Sequence, residues 1–224
     1  MTPAPLFYDR RAAGEQLAKA IAAQISQLDP AEVEKPPIVY ALPRGGLPVA
    51  EPVARRLGCP LDIMVAKKIT RPDNPELAIG AVTADGQVLW VKQRSRRFRF
   101  RRLAQAEATA KAQAQEALFA SRRPQVQPAG AIALLVDDGI ATGMTMAVAA
   151  QGLRKQQPAQ VWICTPVAPA ELMEVLTQWC DRLVVLANPQ PFLSVSRFYE
   201  QFPQVQIEEA IANLHQQQQW LSGD

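Results

Sequence analysis

Leu134-Leu135-Val136-Asp137-Asp138-Gly139-Ile140-Ala141-Thr142-Gly143-Met144-Thr145 is the stretch on which the reading of this chain turns. The apolar run Ala131–Val136 has the length of a buried strand and ends on two adjacent acids, and a helix is expected from Thr145 to Lys155. Asp137 and Asp138 cannot be core residues without partners, because burying unpaired charge is costly. Gly139 and Gly143 let the backbone turn tightly and come close to a ligand. Thr142 and Thr145 add hydroxyl donors. The start of the helix presents unpaired amides and the positive end of its dipole, a natural anion site. The dipole supplies only about 0.5–1 kcal/mol, so converging amides and hydroxyls must supply most of the affinity. An ordinary Asp/Gly turn accounts for the glycines, but not for paired acids together with two threonines.

An anion site beside two carboxylates makes a specific demand. The phosphate wants the amides, whereas the acids repel phosphate and accept hydrogen bonds from sugar hydroxyls. A ribose 5-phosphate meets both conditions, with its 2′- and 3′-hydroxyls on Asp137 and Asp138. Its phosphate then lies in the loop of Gly139, Ile140, Ala141, Thr142, Gly143, Met144 and Thr145.

Outward from this loop, Asp9 to Leu28 has helical spacing at Leu17, Ile21, Ile25 and Leu28, and Pro36-Pro37 breaks the pattern. The strand Ile38–Leu42 ends at Pro43-Arg44-Gly45-Gly46, and a helix from Pro48 to Leu57 closes at Gly58. Leu61 to Ala66 reads as one buried strand, ending at Lys67-Lys68. Asp85-Gly86 marks a hairpin between Ala78–Thr83 and Gln87–Val91. Helices are expected over Leu103–Ala120 and Ala170–Trp179, and strands over Val161–Val167 and Leu183–Ala187. Continuous apolar strands alternating with helices imply one doubly wound α/β domain with a mainly parallel sheet. Its core covers about residues 30–190, and a small hood is built from about residues 1–12 and 188–224.

Composition closes several routes. The 224 residues suit one good-sized domain, and a net charge of +3 implies little about partners. Asp9, Arg10 and Arg11 interrupt the N-terminus before any signal-peptide core forms, and the apolar runs are too short for a membrane span. Cys59, Cys164 and Cys180 lack a CxxC pair, so a reduced, cytoplasmic setting is the simplest inference. His215 is the one histidine, which excludes a two-histidine zinc site. The chemistry must run on carboxylates, lysines, arginines, backbone amides or a metal carried in by the substrate. No Gly-x-x-x-x-Gly-Lys-Ser/Thr is present, which sets aside a P-loop hydrolase.

Val136-Asp137-Asp138-Gly139-Ile140-Ala141-Thr142-Gly143-Met144-Thr145 resembles the phosphoribosyl pyrophosphate motif of type I phosphoribosyltransferases. That motif is an apolar strand, two acids, a short spacer, Thr-Gly-x-Thr and a helix. The resemblance runs from about Phe7 to Leu214. Thr70-Arg71-Pro72-Asp73-Asn74-Pro75-Glu76-Leu77-Ala78-Ile79-Gly80-Ala81-Val82 is similar to a less-studied branch that carries Asn-Pro-Glu-Leu-Ala-Ile-Gly-Ala here. In this region the family covers its site with a mobile loop, and two prolines imply that the segment is not regular throughout. By the same resemblance, Arg44, Gly45 and Gly46 form the pyrophosphate loop, Arg44 adding a charged fork. Lys67 or Lys68 stands near the pyrophosphate, which completes the catalytic set with Arg44. Phe192, after the last strand, is the candidate ring to stack on the acceptor base; a core anchor is the plainer alternative. One departure matters: hypoxanthine-guanine enzymes carry an aspartate immediately before the Thr-Gly of the loop, where this chain has Ala141. That puts purine salvage in doubt.

The implied activity is transfer of a 5-phosphoribosyl group from phosphoribosyl pyrophosphate to a nitrogenous base, with Mg²⁺ held mainly by the substrate rather than by the protein. A homodimer is common in the family. The alternative is a non-catalytic sensor of the same donor, with Lys92, Arg94, Arg96, Arg97, Arg99, Arg101 and Arg102 contacting nucleic acid. That run could equally collect anionic substrate or be a solvated helix start, the commonest of the three.

Overall fold

The computed structural model describes residues 5–29, 35–91 and 98–221, apart from the side chains of residues 75–76, 98–99 and 218. Five parallel strands, β1 (Lys35–Ala41), β2 (Leu61–Ile63), β6 (Ala131–Val136), β7 (Gln160–Val167) and β8 (Arg182–Ala187), form a sheet ordered β2-β1-β6-β7-β8. A second, antiparallel sheet holds β3 (Ala66–Arg71), β4 (Asn74–Thr83) and β5 (Val88–Trp90). The helices are α1 (Arg10–Ile25), α2 (Leu47–Leu57), α3 (Phe98–Ala117), α4 (Met144–Lys155), α5 (Met173–Thr177), α6 (Ile207–His215) and α7 (Gln217–Leu221).

Alternate residues of each central strand face opposite layers, as a strand's period of two requires. Val39, Ala41, Ile132, Leu134, Val136, Trp162 and Cys164 pack with Leu17 and Ile21 of α1, Val53 of α2 and Leu214 of α6. Ile38, Tyr40, Leu42, Ala133, Leu135, Val161 and Ile163 pack with Met146, Ala150 and Leu153 of α4 and Leu176 of α5. Helices therefore cover both faces, and the doubly wound α/β reading holds. The strand ends also follow the apolar runs: Ala131–Val136 is found as expected, and Leu183–Ala187 gains one residue.

Three local expectations need correction. Pro36-Pro37 does not precede the first strand but stands inside β1, where a register shift against β6 between Lys35 and Ile38 accommodates the missing amide donors. Leu61–Ala66 is not one strand. β2 ends at Ile63 and β3 starts at Ala66 in the other sheet, with Met64 and Val65 buried in different clusters, so hydrophobicity does not mark the bend. Thr70–Val82 is, as expected, not regular throughout: β3 and β4 form a hairpin interrupted by a turn at Pro72-Asp73, with an Arg71–Asp73 ion pair and register shifts on either side of Thr70. Ala170–Trp179 starts as a single 3-10 turn, Ala170–Leu172, and α5 is correspondingly short.

Of the basic run, Lys92 to Arg97 lies outside the described residues; the rest opens α3, where the Arg101 guanidinium sits 4.8 Å over the Trp90 ring. Among the described residues no helix is long and apolar enough to cross a membrane. Cys59, Cys164 and Cys180 are free and buried.

The sheet order decides where a ligand can bind. From β1 the chain moves outward to β2 and later returns to β6 on the other side, so the carboxyl ends of β1 and β6 diverge into opposite connections. Such a switch point opens a crevice in a parallel sheet. Ala41 pairs with Val136 at its floor, which sets Leu42–Gly46 beside Asp137-Asp138.

Candidate active site

A cleft of about 330 Å³ opens at this switch point, lined by Arg10, Leu42, Pro43, Arg44, Gly45, Ala66, Asp137, Asp138, Thr145, Gln204 and Val205. The structure thus brings together Arg44, Gly45, Asp137, Asp138 and Thr145, five of the residues singled out in the sequence.

The loop after β6 is held from below. The Ile140 amide donates to the Val167 carbonyl at 2.9 Å, and the Ile140 side chain is buried beneath α4. Ile140 therefore anchors the loop, while Ala141 and Thr142 are exposed. Gly143 has φ +74°, the left-handed region that favours glycine, and precedes α4 with no side chain capping the first amides. The helix entrance at Met144 and Thr145 keeps its donors for an incoming anion.

The two acids are not equivalent. The Asp138 amide donates to Oδ1 of Asp137 at 2.9 Å, whereas Oδ2 of Asp138 accepts from Nε of Arg10 at 2.8 Å. Burial pushes Asp137 well above the ordinary carboxylate range, and the Asp138 charge pushes it further. Asp138 is also raised by burial, with Arg10 opposing the rise. From the C-terminal segment, the Tyr199 hydroxyl donates to the Asp138 carbonyl at 2.6 Å.

Across the cleft, Gly46 is buried at the β1–β6 junction, where a methyl group would meet the Leu42 carbonyl oxygen at 2.6 Å and that of Val136 at 2.8 Å. The Pro43–Arg44 peptide is cis. Lys67 and Lys68 separate here: Lys68 is exposed, and Lys67 is half-buried near Arg44. Burial first, then the positive charges of Arg44 and Lys111, lower the Lys67 pKa.

Phe192 stands outside the walls of this cleft. Its ring packs on Phe198 with centroids 5.1 Å apart, in a cluster with Phe7, Val167 and Tyr199. Val195 from the same segment closes over Gly139, where a methyl group would meet it at 2.4 Å. Of the segments expected as a hood, Phe7 bridges Tyr199, and Gln204-Val205 reaches the cleft. Helices α6 and α7 instead cover α2 and the β2 edge.

Sequence reasoning missed Arg10, Tyr199, Gln204 and Val205. Arg10 sits beside a legible helix start, since the Asp9 side chain accepts from the Ala12 amide at 2.7 Å. Nothing in its local pattern pairs it with a residue 128 positions away.

Comparison with known proteins agrees with this geometry. The family model described as phosphoribosyl transferase domain matches residues 8–190. Proteins of Mycobacterium tuberculosis strains CDC 1551 / Oshkosh and H37Rv, each described as a "putative phosphoribosyl transferase", are 36% identical over 234 residues, covering 93% of this chain and 46% of theirs. The chain thus spans about half the length of these curated relatives. The crystal structure of TT1426 from Thermus thermophilus is 34% identical and superposes with a TM-score of 0.77, covering 94% of this chain and 98% of that one. With the acid pair, the uncapped helix entrance and the Arg44-Gly45 loop meeting at one switch point, the chain belongs to the phosphoribosyl transferase domain family.

Proposed function

We propose that this protein transfers the 5-phosphoribosyl group of phosphoribosyl pyrophosphate to a nitrogenous acceptor, releasing pyrophosphate. One observation carries the reading: a single cleft holds two carboxylates, an uncapped helix entrance and a cationic loop, each suited to a different part of that donor. Asp137 and Asp138 accept from the ribose hydroxyls. The amides and hydroxyls of Ala141–Thr145 hold the 5-phosphate, on a loop that Ile140 anchors. Arg44, the Gly45 amide and Lys67 face the pyrophosphate.

In the reaction the bond between the anomeric carbon and the pyrophosphate oxygen breaks, and its electron pair leaves with pyrophosphate. The acceptor nitrogen supplies the pair for the new bond and gives up its proton to solvent. Positive charge on the ribosyl centre develops beside the acids, and negative charge on the leaving group develops beside Arg44 and Lys67. Such fixed charges are effective because they need no reorganisation as the reaction proceeds.

The carboxylates lining the cleft, Asp137 and Asp138, are suited to the sugar, and the described residues contain no cluster of three metal-binding side chains. Mg²⁺ would be held mainly by the substrate, and its chemistry there would be charge neutralisation.

We assign the acceptor side to Gln204 and Val205, which line the cleft from the C-terminal segment. Phe192 would contribute there only by supporting this wall through Phe198. The test is incubation with Mg²⁺ and phosphoribosyl pyrophosphate against a panel of nitrogenous bases, with pyrophosphate release as the readout. Release with at least one base is expected. Tight donor binding without release from any base would replace the transferase with a sensor of the same ligand.

A further inference from the structure

Arg10 belongs to none of the elements that the donor reading uses, yet its side chain reaches into the cleft. It opens α1 and is 9% exposed. Three contacts fix its guanidinium. Nε donates to Oδ2 of Asp138 at 2.8 Å, Nη1 donates to the Pro203 carbonyl at 2.7 Å, and the group lies 3.6 Å from the centroid of the Phe202 ring. Phe202 stacks in turn on Tyr199, centroids 4.9 Å apart, and the Tyr199 hydroxyl holds the Asp138 carbonyl. The residues that follow, Gln204 and Val205, form the other wall of the cleft.

An exposed ion pair contributes little, because water competes for both charges. This pair is different in kind: the side chains are 10% and 14% exposed, and the arginine is held by a carbonyl and a ring as well as by the acid. A guanidinium keeps its charge at every accessible pH, so it can hold a neighbouring carboxylate ionised.

We infer that Arg10 is the positioning residue for the donor's ribose, holding the Asp138 carboxylate ionised and in place against Gly45 and tying it to the 198–205 wall. The inference rests on the phosphoribosyl reading of the cleft. An ionised Asp138 accepts hydrogen bonds from sugar hydroxyls, whereas a neutral one spends an oxygen as a donor. Burial works against ionisation at this position, and Arg10 opposes it. Among the described residues, the groups facing Asp138 are Arg10 from α1, Asp137 beside it, the Tyr199 hydroxyl on its carbonyl, and the Gly45 backbone, with Arg44 lining the same cleft. A staple that merely joined the N-terminal segment to the loop would change stability and the Asp138 titration on removal, but not move the acid limb of donor affinity with it.

The experiment follows Asp138 directly. Full-length wild-type protein, Arg10→Lys and Arg10→Gln are labelled with ¹³C at the aspartate carboxyl groups and titrated without ligand by NMR. Arg10→Gln is expected to raise the Asp138 midpoint by about 1–3 pH units, and Arg10→Lys to keep it close to wild type. Calorimetric titration with Mg²⁺ and phosphoribosyl pyrophosphate is then run across the same pH range. The acid limb of donor affinity should move upward with the midpoint in Arg10→Gln. In Arg10→Lys it should stay in place, with affinity weakened about tenfold by loss of the fork. One midpoint shared by wild type and Arg10→Gln overturns the inference. Should Arg10→Gln not fold, Arg10→Lys decides alone, since wild-type affinity there overturns the positioning role. If wild type binds no donor while the Asp138 midpoint moves, the phosphoribosyl reading fails and the charge-holding role stands. If wild type binds donor and nothing moves, the reverse holds.

Discussion

Gly45 packs so closely on Asp138 that a methyl group on its α-carbon would stand 2.2 Å from Oδ2 of the carboxylate. The Arg44-Gly45-Gly46 loop and the Asp137-Asp138 pair are therefore packed as one unit, and no side chain at position 45 leaves Asp138 where it is. Gly45→Ala should displace the carboxylate from Arg10, cost about 1–3 kcal/mol of stability, and weaken donor binding at least about tenfold, which is 1.4 kcal/mol. Gly58→Ala is the control, since Gly58 has φ +60° at the end of α2 with open space around it. It should cost about 1 kcal/mol of stability through backbone strain and leave donor binding intact. Calorimetry and thermal melting of both variants check this, and wild-type affinity in Gly45→Ala would sink it.

Asp137 should stabilise the protein when it is neutralised and disable the site at the same time. Its folded pKa is raised above the unfolded value of about 3.9, so the folded state holds its proton more tightly. The stability associated with that proton is complete below about pH 4 and is lost as pH rises through the raised folded pKa. Asp137→Asn should therefore melt above wild type at pH 8, with the gap closing toward pH 4, while donor affinity falls. Melting curves at both values test the sign; a variant that melts at or below wild type at pH 8 refutes it.

Lys67 and Arg44 should act on the leaving group, and Lys68 should not. Arg44→Ala should slow turnover by about 3 kcal/mol while changing ribose binding less. Equal loss of turnover and ground-state affinity would count against that role. Lys67→Ala should follow the same pattern and Lys68→Ala should resemble wild type, because Lys67 is half-buried near Arg44 and Lys68 points to solvent. The lowered Lys67 pKa adds a direction: its charge is lost at lower pH than an ordinary lysine's, so turnover should decline on the alkaline side. Steady-state kinetics across pH with Lys67→Arg, which keeps the charge, should remove that decline.

Gln217 secures the β2 edge of the main sheet, which α7 covers. Its side-chain amide accepts from the Leu61 amide at 3.0 Å and donates to the Leu61 carbonyl at 2.8 Å, as a neighbouring strand would. It is 4% exposed, so Gln217→Ala strips partners from buried backbone groups at about 1–3 kcal/mol each. Denaturant unfolding should show a loss in that range with donor binding unchanged. A midpoint within experimental error of wild type would show that solvent replaces the amide.

The elements that were legible in the sequence are those with local causes. Ala131–Val136 reads as a strand because each residue is apolar and buried on two faces, and the start of α4 is legible because Gly143, at positive φ, sets the turn before it. The Met64–Val65 bend was not legible, because the two residues enter different cores and leave no polar mark. The β3–β4 hairpin was hidden by its prolines, which the sheet tolerates beside a register shift. Phe192 looked like a stacking ring by its place after β8, but a pattern cannot say whether a ring faces a cleft or another phenylalanine.

By itself the sequence determined the fold class and the strand–turn–helix at residues 131–155, because both follow from hydrophobic periodicity and backbone freedom within a dozen neighbouring residues. Only the tertiary structure decided how the acids of that turn differ. Asp137 receives the amide next to it, while Asp138 meets an arginine 128 positions away that a carbonyl and a ring hold in place. Contacts of that kind depend on the sheet order and on the pairing of Phe7 with Tyr199, which bring the two ends of the chain over one switch point. Local propensity carries no information about which distant side chain arrives there, and the ionisation of a buried carboxylate is set by that arrival.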